Sequence, residues 1–261
     1  MRFGIMFFGA FLTRPTHSFL RTELLLGRNL SRISQHINFP RGGSIADSPV
    51  SKRQKATAAD GAGEQECAAA ATPLKLALCQ IRVGADKEAN IATARKAVED
   101  AAEAGASLVS LPECWNSPYD TLCFPKYAEP VPEPGQAVDA GASPSVAMLV
   151  DVARQCGVYL IGGSVPEKDD NGVYNTCVVV GPDGQLLAKH RKVHLFDINV
   201  PGKISFKESD TLTGGDKPTV IDTPWGKVGV GICYDIRFPE LSGLMRQAGG
   251  RLLGFPGGFN L

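Results

Sequence analysis

The chain has 261 residues, of which 43% are hydrophobic and 21% charged, and its 27 basic residues balance 27 acidic ones. This length and composition predict an ordinary globular protein with one α/β domain or at most two small domains. The zero formal net charge argues against a nucleic-acid partner, which needs a surplus of cations. No apolar run has the length of a membrane span, which argues against a membrane partner. The 7 scattered cysteines form no CxxC pair and indicate a reducing compartment rather than disulfides or a zinc site.

Residues 1–72 differ in composition from the rest of the chain. The first 45 residues contain a single acid, Glu23, several serines, and the arginines Arg2, Arg14, Arg21, Arg28, Arg32 and Arg41. This composition predicts an organelle transit peptide, followed by a flexible Ala- and Gly-rich linker over 51–72. Two alternatives stay open, a secretory signal with its apolar stretch over 4–12 and a disordered tail. We therefore expect one folded domain over 73–261.

The first half of that domain is predicted to alternate strands with helices. Its predicted elements are strands over 74–81 and 107–111 and helices over 86–104 and 143–156. Gly105 is a plausible stop for the first helix, and Gly157 for the second. Ser143 and Pro144 predict an N-cap and first turn for the second helix.

The second half is predicted to be rich in hairpins. Its predicted elements are strands over 158–165, 174–181, 184–192, 219–223, 227–233 and 251–257 and a helix over 237–247. Turns are predicted at 182–184 (Pro-Asp-Gly) and 224–226 (Pro-Trp-Gly). Together the two halves indicate an α/β protein with a mixed sheet covered by helices.

Cys233 is the best candidate for a nucleophile. It ends an apolar strand and is followed by Tyr-Asp-Ile-Arg and then a predicted helix. A turn from strand to helix exposes a side chain at the end of the sheet, beside backbone N–H groups that can bind an oxyanion. The alternative is a buried structural cysteine, which is the expectation for the other cysteines.

Glu113 and Lys192 are candidates to assist the thiol. Glu113 directly follows a strand among apolar residues, where a raised pKa would suit a general base, although a solvated loop acid is the plainer expectation. Lys192 lies in a basic cluster, usually a solvated edge, but strand alternation allows one of its members to face a site. A papain-like pair of a cysteine with His190 or His194 lacks the expected sequence context, and no HExxH spacing supports a metal hydrolase.

Three stretches together resemble the nitrilase superfamily of carbon–nitrogen hydrolases. They are LVSLPECWNSPY with Glu113, KHRKVHLFDINVPGKISFKES with Lys192 and Glu208, and VGVGICYDIRFPEL with Cys233. The order Glu, Lys, Cys, with separations of 79 residues (113 to 192) and 41 residues (192 to 233), is similar to that of the family. NSPY, HLFDI and PGKI resemble its omega-amidase branch in particular. The deaminated-glutathione amidase branch is the runner-up.

The resemblance implies a fold, a reaction and a set of roles. The fold would be a four-layer α-β-β-α sandwich, and the reaction the hydrolysis of the terminal amide of 2-oxo acids through a cysteine thioester. Glu113 would be the base, Lys192 and the backbone N–H of Tyr234 would hold the oxyanion, Glu208 would orient Lys192, and Tyr119 would line the pocket. The family needs no metal or organic cofactor, and its partner is a small amide substrate.

The resemblance also implies a homodimer, a chloroplast location with mitochondrion or cytoplasm as alternatives, and further chain beyond the position of Leu261. We therefore expect a sandwich that is incomplete at its C-terminal end. A catalytically silent truncated product is a second hypothesis. Two partners stay open for Arg237, a substrate carboxylate and Asp235.

Overall fold

The structure, a computed structural model, describes residues 7–10, 23–26 and 73–258, the first two stretches by their backbone alone. The helices are α1 (Lys87–Glu103), α2 (Phe124–Tyr127), α3 (Pro144–Cys156) and α4 (Pro239–Gln247), with 3-10 turns at Glu208–Asp210 and Cys233–Arg237. The strands are β1 (Phe7–Ala10), β2 (Glu23–Leu26), β3 (Lys75–Leu78), β4 (Leu108–Ser110), β5 (Tyr159–Ile161), β6 (Val165–Asp169), β7 (Gly172–Val180), β8 (Leu186–Arg191), β9 (Asp197–Val200), β10 (Ile204–Lys207), β11 (Thr219–Ile221), β12 (Val228–Val230) and β13 (Leu252–Phe255).

The strands form two larger sheets and one hairpin. In the first sheet the order is β2-β3-β4-β5-β7-β6, with β8 also paired to β7, and β2 to β5 run parallel. In the second sheet the order is β1-β13-β12-β11, and β12 and β13 are parallel. Strands β9 and β10 pair only with each other among the described residues.

Side-chain alternation divides the apolar residues between the faces of the first sheet. In β7, Val178 and Val180 pack beneath α1 and α3, whereas Cys177 and Val179 pack against the second sheet. Successive side chains of a strand point to opposite faces, so a strand buried on both faces is apolar throughout. The far face of the second sheet packs against α4 through Met245. The layers are therefore helix, sheet, sheet and helix, which confirms the predicted α/β sandwich.

The predicted helix signals are confirmed with one correction. Gly105 follows the end of α1 with φ 87°, and Gly157 ends α3 with φ 64°, both in the left-handed conformation. No N-cap was predicted for α1, and Asp86 takes this position by accepting from the backbone N–H of Ala89 at 3.0 Å. Ser143 occupies the N-cap of α3, but its hydroxyl donates to the carbonyl of Pro130 instead of capping the helix. The carboxylate of Glu129 accepts the N–H of Ser145 at 3.0 Å and serves as the cap.

Several predicted strands were too long, and two of them give way to a turn near the candidate site. The predicted strand over 158–165 is broken between β5 and β6, because Gly163 has φ 67° and turns the chain. The predicted strand over 227–233 ends at Val230, and a 3-10 turn follows from Cys233. The hairpin β9–β10 had no predicted counterpart.

The predicted leader and linker over 1–72 lie outside the described residues, apart from the backbone of β1 and β2. Within the described part of the chain, no helix has the length and apolar character to cross a membrane. Residues 259–261 also lie outside the described residues.

Candidate active site

Cys233 lies where the second sheet ends and the chain turns toward α4. Its backbone has φ 44°, and its N–H donates to the carbonyl of Pro256 at 2.7 Å. Among the described residues, Cys114 is the other non-glycine residue with a positive φ, at 47°. Such a conformation costs free energy and is retained where the surroundings fix it. Cys233 is itself the candidate nucleophile, and Cys114 directly follows Glu113, so both strained residues lie at the candidate site.

Glu113 is buried at the end of β4 and is not a solvated loop acid, because it is only 3% exposed. The segment that carries it is held against the break between β5 and β6. Trp115 donates its backbone N–H to Ser164 over 3.2 Å, and Ser164 donates its N–H to the carbonyl of Pro112 over 3.1 Å. Hydrogen bonds on either side of Glu113 thus fix where its carboxylate lies.

Lys192 joins Glu113 to Glu208 in the interior of the protein. Its Nζ lies 2.8 Å from Oε1 of Glu113 and 2.9 Å from Oε2 of Glu208, and all three side chains are fully buried. The lysine comes directly after β8, whose alternation buries it while Arg191 stays partly exposed. The structure thus brings together the residues of the first two motifs, and Cys233 of the third lies near enough for the charges of Glu113 and Lys192 to act on the pKa of its thiol.

The protonation states of this cluster follow from burial and charge. Burial disfavours the ammonium of Lys192, but the carboxylates of Glu113 and Glu208 outweigh burial and raise its pKa above the usual value. Burial raises the pKa of Glu208, although Lys192 opposes the shift. Burial and then the charge of Glu113 raise the pKa of Cys233, with Lys192 lowering it. At neutral pH the resting cluster therefore holds a neutral thiol beside a charged lysine.

Tyr119 and Asn175 support the two carboxylates. The hydroxyl of Tyr119 donates to Oε1 of Glu208 over 2.6 Å, and the Asn175 amide donates to Oε1 of Glu113 over 3.0 Å. Tyr119 was predicted to line the pocket, and in this structure its hydroxyl contacts Glu208. Sequence reasoning missed Asn175, although a polar residue inside the buried run YNTCVVV was the available signal.

Tyr234 continues a row of aromatic rings that borders the cluster. Its ring makes edge-to-face contacts with Phe196 at 5.2 Å and Phe238 at 5.3 Å between centroids. Arg237 is exposed, and its guanidinium lies 6.0 Å from the Tyr234 ring centre. The possible pairing of Arg237 with Asp235 is not found, because hydrogen bonds from other groups occupy the Asp235 carboxylate.

Those other groups include the two histidines considered for a papain-like pair. Nε2 of His190 lies 3.3 Å from Asp235, and Nδ1 of His194 lies 2.8 Å from the same carboxylate. The histidines therefore partner an aspartate rather than the thiol of Cys233. Within residues 73–258, no group of three or more His, Cys, Asp or Glu side chains is arranged to hold a metal ion.

A buried Cys, Glu and Lys at the sheet ends of an α-β-β-α sandwich is the arrangement that the sequence resemblance implied. The family model described as carbon-nitrogen hydrolase matches residues 75–258, and the chain belongs to this family.

Curated relatives and a solved structure are similar to the chain over the same region. It is 53% identical over 192 residues to "Omega-amidase, chloroplastic" of Arabidopsis thaliana, covering 73% of this chain and 50% of that protein. It is 51% identical over 190 residues to "Omega-amidase NIT2" of Homo sapiens, covering 73% of this chain and 65% of that protein. The crystal structure of Saccharomyces cerevisiae Nit3, a member of branch 10 of the nitrilase superfamily, is 41% identical with a TM-score of 0.58, covering 68% of this chain and 61% of that chain. The chain thus spans half to two thirds of the length of these relatives.

Proposed function

We propose that the chain is an omega-amidase, which hydrolyses the terminal amide of 2-oxo acids such as 2-oxoglutaramate and 2-oxosuccinamate to a 2-oxo dicarboxylate and ammonia. The observation that carries the proposal is the buried cluster in which Glu113 lies 2.8 Å from Lys192 and both charges act on the pKa of the buried thiol of Cys233. Relatives named omega-amidase, with 53% and 51% identity, support the substrate class.

In the first step the sulfur of Cys233 attacks the amide carbonyl while its proton passes to Glu113. The thiol requires this base because burial and Glu113 raise its pKa, so that thiolate is scarce at neutral pH. The transfer moves one negative charge from Glu113 to sulfur and leaves the net charge of the cluster unchanged. No additional charge then has to be desolvated in the buried site.

The carbonyl oxygen becomes negatively charged as the carbon–sulfur bond forms, and Lys192 is the cation that stabilises it. An ammonium group has three N–H donors. One contacts Glu113 and one is shared by the two oxygens of Glu208, at 3.0 and 2.9 Å, which leaves the third for the substrate oxygen. The backbone N–H of Tyr234 is the second proposed donor to this oxygen.

The tetrahedral intermediate then breaks its carbon–nitrogen bond, and Glu113 returns the proton so that ammonia leaves. A water molecule gives a proton to Glu113 and adds its oxygen to the thioester. Cleavage of the carbon–sulfur bond releases the acid, and the proton on Glu113 returns to the sulfur. The cycle uses the thiol as the only covalent catalyst, so the proposal includes no metal or organic cofactor.

The test is ammonia release by the purified full chain from 2-oxoglutaramate, with the Cys233→Ala variant and the matched Cys177→Ala variant in parallel. Cys177 is a completely buried cysteine on β7, so its replacement controls for the loss of a thiol. We expect turnover by the wild type and by Cys177→Ala and none by Cys233→Ala. Equal turnover by Cys233→Ala would falsify the nucleophile assignment.

A parallel assay with deaminated glutathione distinguishes the two branches of the family. We expect the ratio kcat/KM to favour 2-oxoglutaramate, and a preference for deaminated glutathione would replace the proposed substrate. Soluble, monodisperse wild-type protein without turnover of either amide would support the silent-product hypothesis instead.

We also propose a chloroplast location, with mitochondrion and cytoplasm as the alternatives. The Arg- and Ser-rich, acid-poor composition of the first 45 residues and the relative named "Omega-amidase, chloroplastic" support it. The test is a fluorescent fusion of residues 1–72 expressed in plant cells. A matched fusion with the arginines of this segment replaced by glutamine should lose import, and diffuse fluorescence from the unaltered fusion would overturn the proposal.

A further inference from the structure

Asp235 is a completely buried carboxylate two residues beyond Cys233, and its partners come from both sides of the candidate site. It accepts the backbone N–H of Ile232 at 2.9 Å, on the nucleophile turn itself. It also accepts the backbone N–H and the ring Nδ1–H of His194, both at 2.8 Å, and contacts Nε2 of His190 at 3.3 Å. One carboxylate therefore connects the nucleophile turn to the segment that follows β8.

The two histidines flank Lys192 symmetrically along the chain, one two residues before it and one two residues after it. His190 and Lys192 are both completely buried, whereas Arg191 between them is partly exposed. Alternate side chains of an extended segment point the same way, which places Lys192 on the buried face of His190, and His194 follows the bend at 193–194. Asp235 thus binds the outer two side chains, and the central one, Lys192, is left to Glu113 and Glu208.

The partners of Asp235 require a charged acceptor. Its two oxygens face four nitrogens, of which two are backbone N–H groups, and a carboxylate can accept from all of them. Although burial opposes ionisation, the hydrogen bonds and charge of His190, with further bonds from Ile232 and His194, lower the pKa of Asp235. An asparagine at this position would turn an NH₂ group toward some of these donors and lose their bonds.

We propose that Asp235 is a positioning residue that holds the thiol of Cys233 in register with the ammonium of Lys192. The inference rests on the proposed function, in which these two groups act on one carbonyl. Among the described residues, the Asp235 carboxylate makes its hydrogen bonds with Ile232 and the two histidines rather than with the thiol or the ammonium, and it acts through those partners. A displacement of about 1 Å between reacting groups lowers rates by about 100-fold, which sets the size of the expected effect.

The test measures kcat and KM of the full chain for 2-oxoglutaramate in Asp235→Asn and in two variants of His190. His190→Gln keeps an amide N–H where the ring Nε2–H lies, whereas His190→Leu has a similar size and no donor. The matched control is Asp222→Asn, because the Asp222 side chain is 84% exposed. We expect kcat to fall about 100-fold in Asp235→Asn and about 10-fold in His190→Leu, with KM changed less than about 3-fold, and His190→Gln to recover most of the rate.

A merely structural role would give a different pattern, in which Asp235→Asn and His190→Leu lower the melting temperature but keep kcat within about 3-fold of wild type. That pattern overturns the inference. So does equal kcat in His190→Gln and His190→Leu.

Alkylation of Cys233 by iodoacetamide, followed against pH by peptide mass spectrometry, is a second readout that needs no turnover. Lys192 lowers the pKa of the thiol, so a displaced lysine should move the midpoint of alkylation to higher pH in His190→Leu and not in His190→Gln. Wild-type protein that alkylates normally but hydrolyses no amide would refute the proposed function alone. An unmoved midpoint in His190→Leu would refute the positioning role alone.

Discussion

The side-chain amide of Asn175 and the ammonium of Lys192 share one acceptor, Oε1 of Glu113, at 3.0 and 2.8 Å. The other carboxylate oxygen, Oε2, accepts the backbone N–H of Gly258 at 3.1 Å. Asn175 also supplies its backbone carbonyl to the N–H of Lys192 at 2.8 Å, so a single residue of β7 orients both members of the pair. Because the two oxygens accept from different donors, the carboxylate has one orientation, which a general base needs for directed proton transfer.

Replacing Asn175 should therefore impair the base without removing it. We expect Asn175→Ala to lower kcat by about 10-fold and Asn175→Asp by about 100-fold, because the aspartate adds a second negative charge beside Glu113. Steady-state ammonia release measures both. Asn171→Ala, at the exposed turn between β6 and β7, is the matched control and should keep the wild-type rate. Unchanged kcat in Asn175→Asp would contradict the assigned role.

Removing Lys192 should cost stability as well as activity. Lys192→Met leaves Glu113 and Glu208 as buried carboxylates without their shared cation, which costs about 3–5 kcal/mol in the free energy of unfolding. In the double variant Lys192→Met/Glu208→Gln one of the two charges is gone, so we expect part of that free energy to return. Urea denaturation of Lys192→Met, Glu208→Gln and the double variant measures the coupling free energy between the two residues.

Activity should not follow stability in this series. The double variant lacks the ammonium that stabilises the oxyanion, so we expect its kcat to stay at least about 100-fold below wild type. Recovery of turnover together with stability would show that Lys192 only neutralises the carboxylates. That result would remove it from the proposed mechanism.

Glu113→Gln should lower the pKa of Cys233 while also lowering turnover. Burial has the largest effect in raising this pKa, the charge of Glu113 raises it further, and the charge of Lys192 lowers it. The neutral amide of glutamine removes the negative charge of Glu113 and leaves Lys192 in place, so the thiol should lose its proton at lower pH. The rate of alkylation by iodoacetamide against pH gives the midpoint, and Cys233→Ala identifies the signal of this thiol.

Turnover in Glu113→Gln should nevertheless fall by about 100-fold or more, because the amide cannot accept the proton of the thiol or return it to ammonia. More thiolate together with less turnover would show that Glu113 acts as a base. A group that only changed the pKa of the thiol would alter thiolate and turnover in the same direction. A midpoint that moves to higher pH would contradict the electrostatic account of the cluster.

The helices and strands could be predicted from local signals, whereas the four layers and the roles of Glu113, Lys192 and Glu208 were implied by the family resemblance. The apolar run of β7 and the helix stops Gly105 and Gly157 each depend on neighbouring residues, and each is found in the structure. The three motifs carry Glu113, Lys192, Glu208 and Cys233, which pack into one cluster. The family motifs identify these residues without knowledge of the strand order.

Local signals could not predict the roles of Asn175, Asp235 and the two histidines, because these roles depend on contacts between segments that are distant in the sequence. Asn175 reaches Glu113 from 62 positions away, and Asp235 reaches His190 from 45 positions away. A polar residue in a strand and an aspartate after a nucleophile are each compatible with several surroundings. Only the strand order, which places β7 beside β8, and the packing of the two sheets bring them to their partners.

Gly163 connects the break between β5 and β6 to the position of Glu113. Its φ is 67°, and a Cβ atom there would lie 2.2 Å from the carbonyl oxygen of Pro112 and 2.9 Å from Cβ of Leu111. Atoms cannot approach so closely, so the segment before Glu113 would have to move. We therefore expect Gly163→Ala to lower both stability and the rate of turnover.

Gly157 provides the matched control for the backbone. Its φ is 64°, close to that of Gly163, but a Cβ atom there would meet no atom within 4 Å. Gly157→Ala should cost only about 1 kcal/mol for the left-handed conformation, with unchanged kcat. Gly163→Ala should cost about 3 kcal/mol or more, and its kcat should fall about 10-fold or more because Glu113 is displaced. Thermal unfolding and ammonia release measure the two effects, and equal losses in the two variants would show that the contact with Pro112 does not position the base.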